Sequence, residues 1–377
     1  MSANPGDCSG STDHTRETGL TSIMSKQLEP LKRLFAHPVR LVIVASLTLA
    51  LGACGPASRI LSPASDIQEC VSALVAAPMA SGVFVEPDDG REPILEEIQA
   101  ARCSVDVSVY LLTDEAVIGE LIAASARSVR VRVLLEEHPF GGGGGQYDVE
   151  SELEEGGVDV KWSGSEVRFS HAKYVVVDRQ IALILNQNLT NASFEGNREF
   201  GSVTTDPAAA MHAQEIFDAD WEGKPVEEID GPLMVSPTTS RRHYLALIGE
   251  AEAGIDFYAE VIRDPQIIAA LGSAEARGVD VRLILNDALD EDDQDISAQL
   301  HAVGVEIRLA SGLYIHAKAM VVDAQIVIVG SQNFTATSLD QNRELAIVLD
   351  DPLLVSRCMD VFERDWIRSS PAAPPGE

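Results

Sequence analysis

The chain alternates between segments with the periodicity of a strand and segments with the periodicity of a helix. In residues 105–109 valine recurs at every second position, with Asp106 and Ser108 in between, which is typical of a β-strand. Residues 116–127 carry alanine and leucine at helical spacing, and residues 129–135 return to strand alternation. Helices between strands predict a sheet covered by helices, which is the α/β class.

Two further apolar runs, 174–177 and 181–185, have the length of strands but lack polar alternation. Runs of this kind are typical of strands that are buried on both faces. We therefore expect both runs near the centre of the sheet.

Ionisable residues around these runs recur later in the chain. The spacing H-x-K-x4-D occurs at 171–178 and returns 145 residues later at 316–323. The residues that repeat at this offset are His171 and His316, Lys173 and Lys318, Asp178 and Asp323, Asn188 and Asn333, 197–199 and 342–344, and 220–221 and 365–366.

Upstream of these motifs the offset is 150, as for Asp106 and Asp256, so the first copy carries about five extra residues. The five-glycine run 141–145 can accommodate them and lacks the pattern of a phosphate-binding loop; we interpret it as a flexible loop near the mouth of the site. The duplication predicts two copies of one unit, related by a pseudo-twofold axis and facing each other across a shared seam.

The doubled spacing resembles the signature of the phospholipase D superfamily, H-x-K-x4-D followed by G-S-x-N and a later acidic residue. The second copy fits fully, with 330–333, which includes Ser331 and Asn333, and then Glu344. The first copy has Leu185 and Asn186 where Gly and Ser are expected, which predicts an altered first half-site. The resemblance implies two mixed sheets, each flanked by helices, that meet at a central active-site seam.

The chemistry of these residue types points to phosphodiester cleavage. One imidazole can attack phosphorus while a second protonates the leaving oxygen. A Lys two residues after each His lies on the same side of a strand and can bind phosphate oxygens. The resemblance implies a phosphohistidine intermediate without metal or cofactor, and leaves open which His attacks and which carboxylate orients each imidazole. The predicted catalytic residues are His171, Lys173, Asp178, His316, Lys318 and Asp323, and the predicted supporting residues are Asn188, Asn333, Ser331, Glu199 and Glu344.

The N-terminal region predicts export. We expect residues 1–23 to be disordered, and residues 24–54 combine a basic region, an apolar run and small residues before Cys54, which is typical of a secretory signal. The ending resembles a bacterial lipoprotein box, in which Cys54 is lipidated and anchors the protein to a membrane facing the periplasm or cell surface. An ordinary cleaved signal or a short anchor is the alternative.

The rest of the chain divides into two repeats and their connections. We expect a tether at 55–80, the repeats at 81–223 and 232–368, a linker at 224–231 and a disordered tail at 369–377. Because one chain carries both half-sites, we expect a monomer.

Charge separates the candidate substrates. The net charge is −31, which disfavours long polyanions because nucleic-acid binding depends on Lys and Arg. We therefore expect a phospholipase D-like phosphodiesterase that acts on phospholipid head groups, most specifically phospholipase D itself, by hydrolysis or by transfer of the phosphatidyl group. The alternatives are an endonuclease, since 333–335 resembles the endonuclease branch of the superfamily, and an exported non-catalytic protein that binds phosphate or lipid.

Three cysteines follow Cys54, namely Cys70, Cys103 and Cys358, and none has the C-x2-C spacing of a metal site. An odd number permits at most one internal bridge. The prediction is buried free thiols, with a Cys70–Cys103 disulfide as the alternative.

Overall fold

The structure is a computed structural model that describes residues 63–74, 81–140, 142, 145–226, 231–287, 289 and 291–372. The predictions for residues 1–23 and for the signal segment with Cys54 lie outside these residues, as does most of the glycine run. Within the described part of the chain, no helix is both long enough and apolar enough to cross a bilayer.

The first half builds a sheet in the strand order β1-β7-β6-β5-β2-β3-β4. Strands β2, β3 and β4 run parallel to one another, and the remaining neighbours on this path are antiparallel. The elements of this half are α1 (Pro63–Ala73), β1 (Ser81–Glu86), α2 (Glu92–Ala100), β2 (Ser104–Val109), α3 (Glu115–Ala126), β3 (Arg130–Leu135), α4 (Gln146–Glu155), β4 (Asp159–Trp162), β5 (Lys173–Val177), β6 (Ile181–Leu185), α5 (Asn191–Glu195), β7 (Asn197–Thr204) and α6 (Pro207–Glu222).

The second half repeats this order as β8-β15-β14-β13-β9-β10-β11, with β16 added at the edge. The match confirms the predicted fold class of two α/β repeats with mixed sheets. Its elements are β8 (Leu233–Ser236), α7 (Ser240–Glu250), β9 (Gly254–Tyr258), α8 (Pro265–Arg277), β10 (Asp280–Leu285), α9 (Glu291–Ala302), β11 (Glu306–Leu309), β12 (Tyr314–Ile315), β13 (Ala319–Val322), β14 (Ile326–Gly330), α10 (Ala336–Asp340), β15 (Glu344–Leu349), α11 (Pro352–Arg368) and β16 (Ser370–Pro371).

Matching side chains start matching helices in the two halves. Asp114 accepts hydrogen bonds from the first backbone N–H groups of α3, and Asp264 does the same for α8. An Asp in this position satisfies donors that have no partner inside the helix, which is worth about 1 kcal/mol. The duplicated sequence therefore encodes duplicated local structure.

The two halves share one hydrophobic core. It contains residues from β5, β6 and β7 of the first half, from β13, β14 and β15 of the second, and from α6 and α11. Strands β5 and β6 are almost wholly buried, as predicted from their unbroken apolar runs. We call the contact between these two sets of elements the seam.

Short backbone pairings cross the seam next to the motifs. Strand β12, which directly precedes His316, pairs in parallel with β7 of the first half. In the first half Ser170, which directly precedes His171, forms a single bridge to Arg343. Each histidine therefore follows a residue that pairs with the opposite half.

Two predictions about the ends of the folded region are wrong. The predicted tether 55–80 contains α1, in which Ile67, Cys70, Val71 and Leu74 are partly buried at helical spacing while the positions between them are exposed. The predicted disordered tail begins with β16, which pairs with β11 because the edge of that sheet is open to a further strand.

The cysteines also differ from the prediction of free thiols. Cys70 and Cys103 form a disulfide that ties α1 to the start of β2, and Cys358 is a buried free thiol. The sequence could not decide this, because a pair of cysteines 33 residues apart reveals neither the position nor the orientation of α1.

Candidate active site

Each histidine of the duplicated motif is hydrogen-bonded to a glutamate of the opposite half. Glu344 Oε2 lies 2.9 Å from His171 Nδ1, and Glu199 Oε2 lies 2.8 Å from His316 Nδ1. Both glutamates are fully buried. The two pairs cross the seam in opposite directions, so each imidazole is oriented by a carboxylate of the opposite half.

The two glutamates stand at the starts of matching strands, and the Asn-Arg-Glu triplet explains how they are held. Asn197 donates to Glu199 over 3.0 Å, and Asn342 donates to Glu344 over 3.1 Å. Ser338 also donates to Glu344 over 2.6 Å. Each carboxylate is thus fixed by neighbouring donors before it meets an imidazole.

The arginine of each triplet crosses the seam as well. Arg198 pairs with Asp365 at 2.7 Å, and Arg343 pairs with Asp220 at 2.9 Å. Both guanidinium groups are buried, at 1% and 3% side-chain exposure. Asp220 and Asp365 therefore anchor the strands that carry Glu344 and Glu199.

The lysines project beside the histidines, as their two-residue spacing predicts. Lys173 Nζ lies 2.9 Å from His171 Nε2, and Lys318 Nζ donates to the backbone oxygen of His316 over 2.6 Å. Lys173 is fully buried, and burial lowers the pKa of its ammonium to about 7. Both lysines can present N–H donors to a phosphate that lies beside the histidines.

The electrostatics of the first histidine favour a neutral ring. Burial, opposed by Glu344 and assisted by Lys173, lowers the pKa of His171. Burial also opposes the ionisation of Glu344, but His171 and Lys173 outweigh it and hold the pKa of that carboxyl below its usual range. The contact with Glu344 places the proton of the neutral ring on Nδ1 and leaves the lone pair on Nε2.

The structure places the two motif aspartates away from the imidazoles, which corrects their predicted catalytic role. Asp178 accepts from the backbone N–H groups of 102–104, and Asp323 accepts from those of 252–254. Each follows the far end of its strand, about 20 Å along the chain from its histidine. The aspartates therefore tie the turn after the strand to the start of the neighbouring strand, β2 or β9.

The remaining predicted residues divide between the site and its support. Asn333 Nδ2 lies 3.3 Å from Glu260, next to Lys318, whereas Ser331 binds the backbone of β15. Asn188 takes the matching position in the first half, and its buried side-chain oxygen has no partner among the described residues. Among the residues that the structure describes, no group of three or more His, Cys, Asp and Glu side chains could hold a metal ion.

The departure at Asn186 has a structural explanation. Ser331 Oγ accepts from Leu345 N over 3.1 Å, and Asn186 Oδ1 accepts from the equivalent Phe200 N over 3.0 Å. The longer amide also reaches across the seam, where its Nδ2 donates to the backbone oxygens of Lys318 and Gly330. Asn186 therefore accepts the same kind of backbone hydrogen bond as Ser331, and it adds a contact between the two halves.

Two side chains of the site were not predicted, namely Glu260 and Tyr110. Glu260 lies 2.6 Å from Lys318 Nζ and 3.6 Å from His316 Nε2. The Tyr110 ring packs edge-on against His171, with the ring centroids 4.7 Å apart. The offset of 150 that pairs Asp106 with Asp256 also pairs these two positions, so this alignment could have revealed them.

Comparison with known proteins supports this architecture. A family sequence model described as "Cardiolipin synthase, PLD-like domain" matches residues 94–221 and 244–366, one match in each half. The solved structure of a phosphatidylserine synthase from Haemophilus influenzae superposes with a TM-score of 0.61 at 12% identity, covering 82% of this chain and 92% of that chain. That likeness shows a shared fold.

Two relatives are similar in sequence. A mitochondrial cardiolipin hydrolase of Xenopus tropicalis is 31% identical over 152 residues, which cover 40% of this chain and 71% of that protein. Cardiolipin synthase A of Klebsiella pneumoniae is 24% identical over 318 residues, which cover 71% of this chain and 65% of that protein. Because the family match covers more than half of the sequence and falls on both repeats, the chain belongs to the phospholipase D superfamily.

Proposed function

We propose that this protein is a phospholipid phosphodiesterase that hydrolyses the head-group phosphodiester, or transfers the phosphatidyl group to an alcohol, through a phosphohistidine. The observation that carries the proposal is the pair of crossed contacts, His171 with Glu344 and His316 with Glu199, beside two lysines. Two oriented imidazoles with adjacent ammonium groups are what in-line displacement at a phosphodiester requires.

We assign the attack to His171. Its Nδ1 proton is held by Glu344, its pKa is lowered chiefly by burial, and its Nε2 lone pair faces the ammonium of Lys173. Nε2 forms a bond to phosphorus while the bond from phosphorus to the head-group oxygen breaks. Lys173 and Lys318 stabilise the negative charge that builds on the phosphoryl oxygens.

His316 takes the role of general acid and then of general base. Its Nδ1 lies 2.8 Å from Glu199 and its Nε2 lies 3.6 Å from Glu260, so two carboxylates flank the ring that passes a proton to the leaving oxygen. The neutral ring then removes a proton from water or an alcohol, whose oxygen attacks the phosphohistidine and frees His171.

The choice of phospholipid rests on the relatives and on charge. The two relatives compared above are named as a cardiolipin hydrolase and a cardiolipin synthase. The net charge of −31 disfavours binding of nucleic acid. We propose phospholipase D activity as the specific reaction.

The test uses the purified full chain in neutral detergent micelles with EDTA. We expect release of head group from phosphatidylethanolamine, and a loss of at least about 10³-fold for His316→Ala, while His301→Ala on the exposed face of α9 serves as the matched control. Substantial turnover by His316→Ala would contradict the two-imidazole mechanism. Cleavage of DNA instead of lipid would favour the nuclease, and phosphate binding without turnover would favour a non-catalytic protein.

We further propose that the protein is an exported monomer held at a membrane by lipidated Cys54. The Cys70–Cys103 disulfide supports an oxidising compartment, and both half-sites in one chain remove the need for a partner. Cys54→Ala should move the protein from the membrane fraction to the soluble fraction of the cell, and Cys358→Ala should not. Retention of Cys54→Ala on membranes would contradict the anchor.

A further inference from the structure

The two halves of the site differ in charge at one equivalent position. Tyr110 follows β2 and packs its ring against His171, and its ring centroid lies 5.4 Å from Lys173 Nζ. Glu260 follows β9 at the matching position and places a carboxylate on Lys318. The first histidine therefore faces a neutral ring, whereas the second faces a negative charge.

The Glu260 carboxylate is held in place by four contacts. Its Oε2 lies 2.6 Å from Lys318 Nζ, 3.3 Å from Asn333 Nδ2 and 3.6 Å from His316 Nε2. Its Oε1 accepts from the hydroxyl of Tyr314 over 3.2 Å. Burial opposes ionisation of Glu260, but His316 and Lys318 outweigh it and hold the pKa of this carboxyl well below its usual range.

Glu260 differs from the other two carboxylates of the site in the nitrogen it faces. Glu199 and Glu344 bind the Nδ1 atoms of the histidines, which orients the rings. Glu260 faces Nε2 of His316, the nitrogen that gives its proton to the leaving oxygen. The group attached to that oxygen must therefore pass within a few ångströms of a fixed negative charge.

We propose that Glu260 determines the substrate class of this site, by selecting cationic or uncharged leaving and accepting groups and rejecting anionic ones. An ammonium group pairs with the carboxylate, and a hydroxyl group donates a hydrogen bond to it. A second phosphate about 6 Å away is repelled, at a cost of about tenfold or more in rate. This inference rests on the proposed phosphodiesterase function.

The selection has chemical consequences for both steps. Amino-alcohol and polyol head groups satisfy Glu260 as leaving groups, and water or a small polyol satisfies it as an acceptor. A leaving group that carries its own phosphodiester, as in cardiolipin or in a nucleic-acid strand, places that second phosphate against the carboxylate. Glu260 therefore separates single-phosphate lipids from polyphosphodiesters.

The experiment compares three short-chain phospholipids in neutral detergent micelles, using the full chain. Phosphatidylethanolamine has a cationic leaving group, phosphatidylglycerol an uncharged one, and cardiolipin an anionic one. The measured quantities are the ratios of kcat/KM between substrates, because general losses of activity cancel in a ratio. The variants are Glu260→Gln, which removes the charge, Glu260→Asp, which keeps it, and Glu306→Gln, which removes a charge from exposed Glu306 on β11.

We expect the wild type to prefer the first two lipids over cardiolipin. Glu260→Gln should raise the cardiolipin to phosphatidylglycerol ratio by about tenfold and lower the phosphatidylethanolamine to phosphatidylglycerol ratio, while Glu260→Asp and Glu306→Gln should leave both ratios close to wild type. Ratios that do not change in Glu260→Gln, with turnover still sensitive to His316→Ala, would overturn this inference alone. Wild type without turnover of any of the three would overturn the proposed function and this inference with it.

Discussion

Glu344 of the second half accepts a hydrogen bond from Nδ1 of His171 of the first half, over 2.9 Å. The mirror contact joins Glu199 to His316 over 2.8 Å. Neither half therefore holds a complete oriented imidazole by itself. Each half supplies the glutamate that orients the histidine of the other half, so the arrangement requires both repeats.

Glu344→Gln should lower kcat by about 10²- to 10⁴-fold. The amide is nearly isosteric, but it cannot stabilise the positive charge of a protonated imidazole. Its N–H group can also donate to Nδ1 of His171, which favours the tautomer with the proton on Nε2. The measurement is kcat with phosphatidylethanolamine, beside a thermal melt that checks folding. Combining Glu344→Gln with His171→Ala should add little to the loss from His171→Ala alone, because both act through one imidazole; fully additive losses would contradict the pairing.

Asp220→Ala should lower the free energy of unfolding by about 3–5 kcal/mol, because it leaves the buried Arg343 guanidinium without its carboxylate. Asp365→Ala should act alike through Arg198. Urea denaturation gives the free energies. The control is Glu222→Gln, which breaks the exposed pair with Lys224 and should cause no measurable change. Equal effects of the buried and exposed substitutions would contradict the role given to the seam pairs.

Much of this arrangement could be predicted from the sequence. The spacing of His171, Lys173 and their repeats predicts that each lysine lies beside its histidine, because residues two apart on a strand share a side. The apolar runs identified β5 and β6, because strands buried on both faces need no polar alternation. Local pattern and duplication were sufficient for these features.

Which carboxylate orients which histidine could not be predicted, because the pairing depends on contacts between residues more than 100 positions apart. Asp178 is nearer in sequence to His171 than Glu344 is, yet Glu344 is the residue that meets the imidazole. The sequence predicts an altered first half-site at Asn186, because the contacts of its side chain with Lys318 and Gly330 form only when the two halves are folded together. Sequence proximity is a poor guide to proximity at a seam between repeats.

Asn186→Ser should lower the free energy of unfolding by about 1–3 kcal/mol and should not raise activity. A serine keeps the bond to Phe200 N, as Ser331 keeps the bond to Leu345 N, but it is too short to reach the two carbonyl groups across the seam. Urea denaturation and kcat/KM are the measurements, with exposed Asn191→Ser as the control. A more active variant of unchanged stability would mean that Asn186 impairs the first half-site.

The buried carboxyl of Glu86 should make stability depend on pH. Glu86 lies opposite Glu199 in the register of β1 and β7, where the second half has Ser236 opposite Glu344. Burial raises the pKa of Glu86 to about 8, from 4.5. Between these two pH values the unfolded chain releases the proton while the folded chain keeps it, so the free energy of unfolding falls as pH rises through this window.

Glu86→Gln removes this titration, because the amide is neutral in both states. The variant should gain stability relative to the wild type as pH rises from about 5 to about 8, by about 3–5 kcal/mol in total. Urea denaturation at a series of pH values measures the difference, and Glu306→Gln at an exposed position of β11 should follow the wild-type profile. Parallel profiles of wild type and Glu86→Gln would show that Glu86 ionises as readily in the folded chain as in the unfolded one. An ionised Glu86 beside Glu199 would then not lower the free energy of unfolding.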